Sequence, residues 1–132
     1  MSSSRVGFSV ESLVALRHLR EAREVDTVIL RLAAEEGLTL DLEGYLTDEE
    51  LLDSLPTDQA RLVVHDLPFA REGTRRHEFL LIFWAPPAAP GQEKPYNLGY
   101  AELKEFLTWV HVHLVATAKE QLQYRRLVAQ AD

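Results

Sequence analysis

Residues 77–90 read HEFLLIFWAPPAAP, from His77 to Pro90. Phe79 to Trp84 are six bulky apolar or aromatic residues in succession, and the run then stops in alanines and prolines. A strand with one wet face alternates polar and apolar side chains, and this one does not. The run therefore predicts a strand covered on both faces. Pro86, Pro87 and Pro90 end it, because proline has no N–H to give to a ladder. A strand without a wet side needs a layer above and a layer below, which points to a sheet held between helices.

Working outward, RLVVHDL (Arg61 to Leu67) predicts a preceding strand, joined to the buried run by a polar connection, PFAREGTRRHE, that turns at Gly73. Upstream, Thr27 to Ala33 is β-branched and apolar, Glu35-Glu36-Gly37 makes a turn, and Leu38, Leu40 and Leu42 alternate with polar residues as the second arm of a hairpin. Ser9 is placed to cap a helix running to about Arg23, with Leu13, Leu16 and Leu19 as its apolar stripe. TDEELLDSLP is a short helix: Thr47 and Glu50 form a capping box, Asp48 and Glu49 suit the positive end of the dipole, and Pro56 follows the end. A longer helix is expected from near Leu98 to about His111, on the spacing of Leu103, Phe106, Leu107, Val110 and Leu114. Val112 to Ala116 returns to alternation as a short strand, and a last helix spans Lys119 to about Gln130. The expected architecture is α/β (α+β): one domain over residues 1–132, a mixed five-stranded sheet with helices on both faces, and a flexible tail at residues 1–8.

Composition bounds the function. The chain has 132 residues, enough for one domain with a real core. It has no cysteine, which removes disulfides, thiolate metal sites and cysteine nucleophiles. Net charge is −7, the wrong sign for a nucleic-acid binder. Basic residues nonetheless cluster at Arg17, Arg20 and Arg23 and at Arg75-Arg76, so an acidic partner can be met locally. The N-terminal MSSSRVGFSV lacks the apolar core of a signal peptide, and no apolar run is long enough to span a bilayer. The expected compartment is the cytoplasm, with the nucleus as an alternative.

Catalytic motifs are missing. No Gly-rich phosphate loop, nucleophile elbow or paired-histidine zinc helix is present. His111 and His113 stand two apart without a third converging ligand, so no metal is expected. His65-Asp66 looks like a catalytic pair only in isolation. Binding without a cofactor is the expected mode of action.

RLVVHDLPFAREGTRRHEFLLIFWAPPAAP, Arg61 to Pro90, resembles the central hairpin of the actin-depolymerising factor/cofilin family: an Arg-aromatic-x-x-Tyr-Asp strand, a charged loop, and a strand ending Phe-x-Trp-x-Pro. SRVGFS (Ser4 to Ser9), LPTDQARLVV and PYNLGYAELKEFLTWVHVHL fit the family's N-terminal segment, third-strand approach and long helix. The resemblance implies an actin-binding domain with a gelsolin-like fold that binds monomers and filaments, severs filaments and promotes their disassembly. It implies a first contact through the long helix and the loop before it, here Lys94, Lys104, Glu105, Thr108 and Trp109. It implies a filament surface at Arg75, Arg76 and Glu78, and an N-terminal contact at Ser4, Arg5 and Val6, with Ser4 on the family's phosphorylated serine. A phosphate there adds nearly two negative charges facing an acidic partner.

The chain departs from the family in two ways. Arg5 stands where the family has glycine, and Glu102 and Glu105 flank Lys104 where lysines are usual. Carboxylates facing acidic actin cost affinity; they also argue against phosphoinositides as partners. On a helical wheel Trp109 faces away from the stripe: it is either a contact residue or is covered by the last helix or by the turn into the fifth strand. Three functions are distinguished: an actin-remodelling monomer, a module similar to glia maturation factor that removes branches, and a small hydrolase using His65 and Asp66. LEGYLTDEELLDSLP favours the second and FWAPPAAP the first.

Overall fold

The apolar run lies in an inner strand. The computed structural model describes residues 6–22, 24–87, 91 and 93–131. Its strands are β1 (Thr27–Ala33), β2 (Gly37–Gly44), β3 (Arg61–Arg71), β4 (Thr74–Trp84) and β5 (Val112–Ala116). They form one mixed sheet in the order β2-β1-β3-β4-β5. β4 is antiparallel to β3 and parallel to β5. Successive side chains of a strand point to opposite faces. Accordingly Leu81 and Phe83 enter one core, and Leu80, Ile82 and Trp84 the other. None of these five is more than 2% exposed. Each fully buried leucine or isoleucine contributes about 2 kcal/mol through its removal from water.

The first core lies under α1 (Val10–Arg17) and α3 (Glu93–Phe106), the second under α2 (Asp48–Asp53) and α4 (Tyr124–Ala131). The Thr47/Glu50 capping box at the start of α2 is formed. A 3-10 turn, Lys119–Leu122, precedes α4. The Trp84 indole N–H donates to the Pro56 carbonyl at 2.7 Å, tying the end of β4 to the segment after α2.

Four expectations are corrected. The polar connection after Leu67 is strand: β3 and β4 continue in register to Arg71↔Thr74 around Glu72-Gly73. Both turn residues have positive φ (52° and 79°), the mirror-image turn whose twist suits a hairpin. Leu38, Leu40 and Leu42 do not share a face. Ile29 pairs with Leu42 but Leu30 with Leu40, so Asp41 is an extra residue. The bulge sends Leu38 and Leu40 to the first core and Leu42 to the second.

The first helix buries Ser12, Ala15, Leu16 and Leu19, whereas Leu13 is exposed. Small residues on the inner side let α1 lie close to the sheet, and past Arg17 it widens into a π-helical turn, His18–Ala22. Finally, α3 begins at Glu93 and ends at Phe106. Pro95 is tolerated in the first turn, where its missing N–H has no partner to lose. Tyr96, Tyr100, Leu103 and Leu107 hold the buried side, and Gly99 faces Leu38 and Leu62, where an added Cβ would meet methyls at 3.2 Å. Leu114, counted into the helix by spacing, belongs to β5.

Candidate functional site

The outer face of α3 exposes Lys94, Lys104 and Glu105. The Lys104 ammonium lies over the Tyr100 ring, 4.6 Å from its centroid, which fixes the charge against the helix. Burial pushes the Tyr100 hydroxyl pKa up, so it stays protonated. Thr108 and Trp109 are not on the helix; they occupy the turn after it. The wheel that turned Trp109 outward fails because Leu107 and Val110 continue the apolar spacing through that turn. Trp109 is half-buried. Its ring meets the Phe79 ring edge-on at 4.8 Å, and the Arg20 guanidinium covers it at 5.6 Å. The last helix has no part in that cover.

The N-terminal segment docks against the same helix, on the side of Glu102 and Phe106. Leu38 donates its N–H to the Gly7 carbonyl at 2.9 Å, and the Ser9 N–H donates to the Leu38 carbonyl at 2.8 Å. Phe8 stacks on Phe106 at 5.1 Å. The Glu102 carboxylate accepts the N–H groups of Val6 and Gly7. Residues 6–8 are thus part of the fold, which corrects the expected tail at those positions. Ser4 and Arg5 lie outside the described residues, as do Arg23 and Pro90. Glu102, expected to face a partner, turns its carboxylate onto the molecule's own amides. A contact spanning 96 positions of sequence has no local signal.

Arg75 and Arg76 are adjacent in sequence but on opposite faces of the hairpin. Arg76 pairs across with Phe69 and shares the α4 side with Glu78, opposite Leu67. Arg75 is on the other side with His77, whose Nδ1 is 3.0 Å from Asp66 Oδ1. The hairpin is braced where the Tyr124 hydroxyl donates to the Pro68 carbonyl at 2.6 Å. Arg76 and Glu78 are therefore brought together, and Arg75 is separated from them by the ribbon.

His65 and Asp66 point to opposite sides of β3, so they form no pair. His65 is buried, with its Nδ1 2.9 Å from Thr27 Oγ1. Thr27 gives its one proton to Asp26 Oδ1 at 2.9 Å, so the His65 Nδ1 is the donor of the pair. Burial drives the His65 pKa down, and the nearby carboxylates of Asp26 and Asp66 only partly oppose this. A histidine depressed in the folded state binds protons more tightly when unfolded, so stability is lost as pH falls below its ordinary value of 6.5. Thermal unfolding followed from about pH 7 to about pH 5 is expected to show a falling midpoint, and His65→Leu to flatten that slope. An unchanged slope in the variant would overturn the assignment. Among the described residues no cluster of three metal-ligating side chains occurs.

Residues 5–132 match the family model for cofilin/tropomyosin-type actin-binding proteins. The chain belongs to that family. The actin-depolymerizing factor 5 of Oryza sativa subsp. japonica is 32% identical over 84 residues, 62% of this chain and 57% of that relative, so the match spans little more than half the relative's length. The fold superposes on Plasmodium berghei actin depolymerization factor 2 with a TM-score of 0.82, at 19% identity over 97% of this chain and 96% of that one. It superposes on coactosin from Entamoeba histolytica with a TM-score of 0.81, at 20% identity over 97% and 95% of the two chains. Within this cofilin-type family fold, α3, the docked N-terminal segment and the β3–β4 hairpin are the elements that carry the candidate residues. Among the described residues no helix is long and apolar enough to cross a membrane.

Proposed function

We propose that this chain binds actin monomers and filaments and promotes filament severing and depolymerisation, acting as a monomer in the cytoplasm with the cytoskeleton. The reading rests on family membership and on one structural observation: Glu102 of α3 holds Val6, so the N-terminal contact is clamped to the same helix that exposes Lys104 and Glu105 and leads into Thr108 and Trp109. Lys94 is exposed at the start of the same helix. Arg76 and Glu78 supply a second surface on the α4 side of the hairpin, suited to a neighbouring subunit, with Arg75 reaching past the opposite side. Guanidinium groups pair well with the carboxylates of an acidic partner. Ser4, two positions before Val6 in sequence, would if phosphorylated add nearly two negative charges to the N-terminal contact. The chain acts by binding, without a cofactor.

Filament co-sedimentation with a matched actin, together with the loss of polymer over time, tests this. The wild type is expected to co-sediment and to shorten filaments. Arg75→Ala/Arg76→Ala is expected to leave monomer binding within about twofold and to reduce severing by about tenfold, a loss typical of exposed charges grouped at one contact. Filament binding without loss of polymer, or removal of branches alone, would replace the severing reading.

A further inference from the structure

Among the described residues, four exposed large apolar side chains gather in one place. Val10 (73% exposed), Leu13 (39%) and Val14 (44%) form an outward ridge on α1, and Phe106 (51%) ends α3 beside them. Between them runs a groove of about 360 Å3, floored by Leu16 and Leu107 and closed at one end by Arg20 over Trp109. The spacing i, i+3, i+4 is that of a helix face built to be covered, yet the buried side of α1 is already Ser12, Ala15, Leu16 and Leu19. A second apolar face on one short helix calls for an occupant outside its own core.

The groove is continuous with the surface proposed for actin. It shares Trp109 and is bounded by Phe106 and Leu107, the residues between Glu105 and Thr108. Phe106 also stacks on Phe8, next to the clamped Val6 and Gly7, so the N-terminal contact and the groove meet at that ring. On the charged side the same surface is poor. Lys104 is turned onto Tyr100, Glu105 adds a negative charge to the exposed side of α3, and Arg17 is engaged by Glu21 at 3.3 Å.

We infer that the α1 groove is the apolar half of the actin contact: it receives aliphatic or aromatic side chains of the subunit that α3 engages, and burial of that surface does the work that lysines do elsewhere in the family. This rests on the actin reading above. Removing four large side chains from water does not depend on salt, whereas attraction between exposed charges does.

The test is filament co-sedimentation from about 0.05 to about 0.3 M salt, with monomer binding measured in parallel. The wild type is expected to lose less than about threefold in affinity across that range, where a lysine-driven contact loses about tenfold or more. Leu13→Asp/Val14→Asp is expected to bind actin at least about tenfold more weakly, and Tyr45→Asp, an exposed apolar position outside the groove, to bind within about twofold of the wild type. Both altered α1 positions face solvent, so an unchanged thermal midpoint confirms that the fold is intact; Phe106→Ser gives an independent variant on the opposite wall.

Wild-type protein that fails to bind actin sinks the functional reading itself. Wild-type protein that binds, with the α1 variant binding equally well or with a steep salt dependence, sinks only the groove. A wild type that sediments as a dimer, with a monomeric α1 variant of undiminished actin affinity, would assign the groove to a second copy and overturn the inference.

Discussion

Leu81→Ala is expected to lower the unfolding free energy by about 3 kcal/mol, within the usual range of about 2–5 kcal/mol for a buried leucine truncated to alanine. Leu81 is fully buried in β4, flanked by β3 through Val64 and by β5 through His113. Its side chain enters the core shared by α1 and α3, together with Phe83, Tyr100 and Leu103. The sheet cannot collapse onto the void, because the ladders on both sides fix the backbone, so the cavity term is added to the transfer term. Urea unfolding followed by circular dichroism gives the value. A loss below about 1 kcal/mol would mean that the site relaxes and that β4 is less constrained than its two ladders imply.

The second large effect is at Gly37. This residue has φ of 77°, a conformation that costs a non-glycine residue about 1–3 kcal/mol. A Cβ there would also fall 2.4 Å from the Val6 carbonyl oxygen and 2.6 Å from that of Gly7. Both obstacles are backbone and cannot rotate aside. Gly37→Ala is therefore expected to force residues 6–8 off the start of β2, opening the Leu38–Gly7 and Ser9–Leu38 hydrogen bonds and pulling Val6 from Glu102. Gly73→Ala is the matched control, since φ is 79° there but the space around it is open. Hydrogen exchange at the Leu38 amide should accelerate at least about tenfold in the first variant and stay unchanged in the second. Equal behaviour of the two would show that the close approach is unimportant. If the N-terminal segment contributes to actin binding, the first variant also binds more weakly.

Where the sequence was read correctly, the signal was local. The unbroken run Phe79–Trp84 could be satisfied only between two layers, and both layers are present. β1 and β5 have the bounds expected of them, and Thr47 with Glu50 announced α2. Errors arose where distance decided the outcome. Arg71 to His77 looks like a loop because its side chains are polar, yet the strands continue since the hairpin extends past the body of the sheet into water. Leu103, Leu107 and Val110 keep a helical spacing across the end of α3, so nothing local shows that Trp109 leaves the helix and turns toward Phe79. Asp41 is set aside by its cross-strand neighbours, and Glu102 is turned onto amides from the other end of the chain. The site was legible as a set of elements; which way its side chains face was not.

β1 accompanies β3 only from Leu62 to His65, and β5 accompanies β4 only from Leu80 onward. From Asp66↔Phe79 to Arg71↔Thr74 the ribbon is a cantilever, propped near its root by Tyr124. Two strands resist torsion far less than five, so load applied at the tip is absorbed by coiling of this arm and reaches the stiff body attenuated. The candidate contact at Arg75, one pair beyond the buried Phe69, is in effect mounted on a spring, while the one on α3 is bolted to the frame.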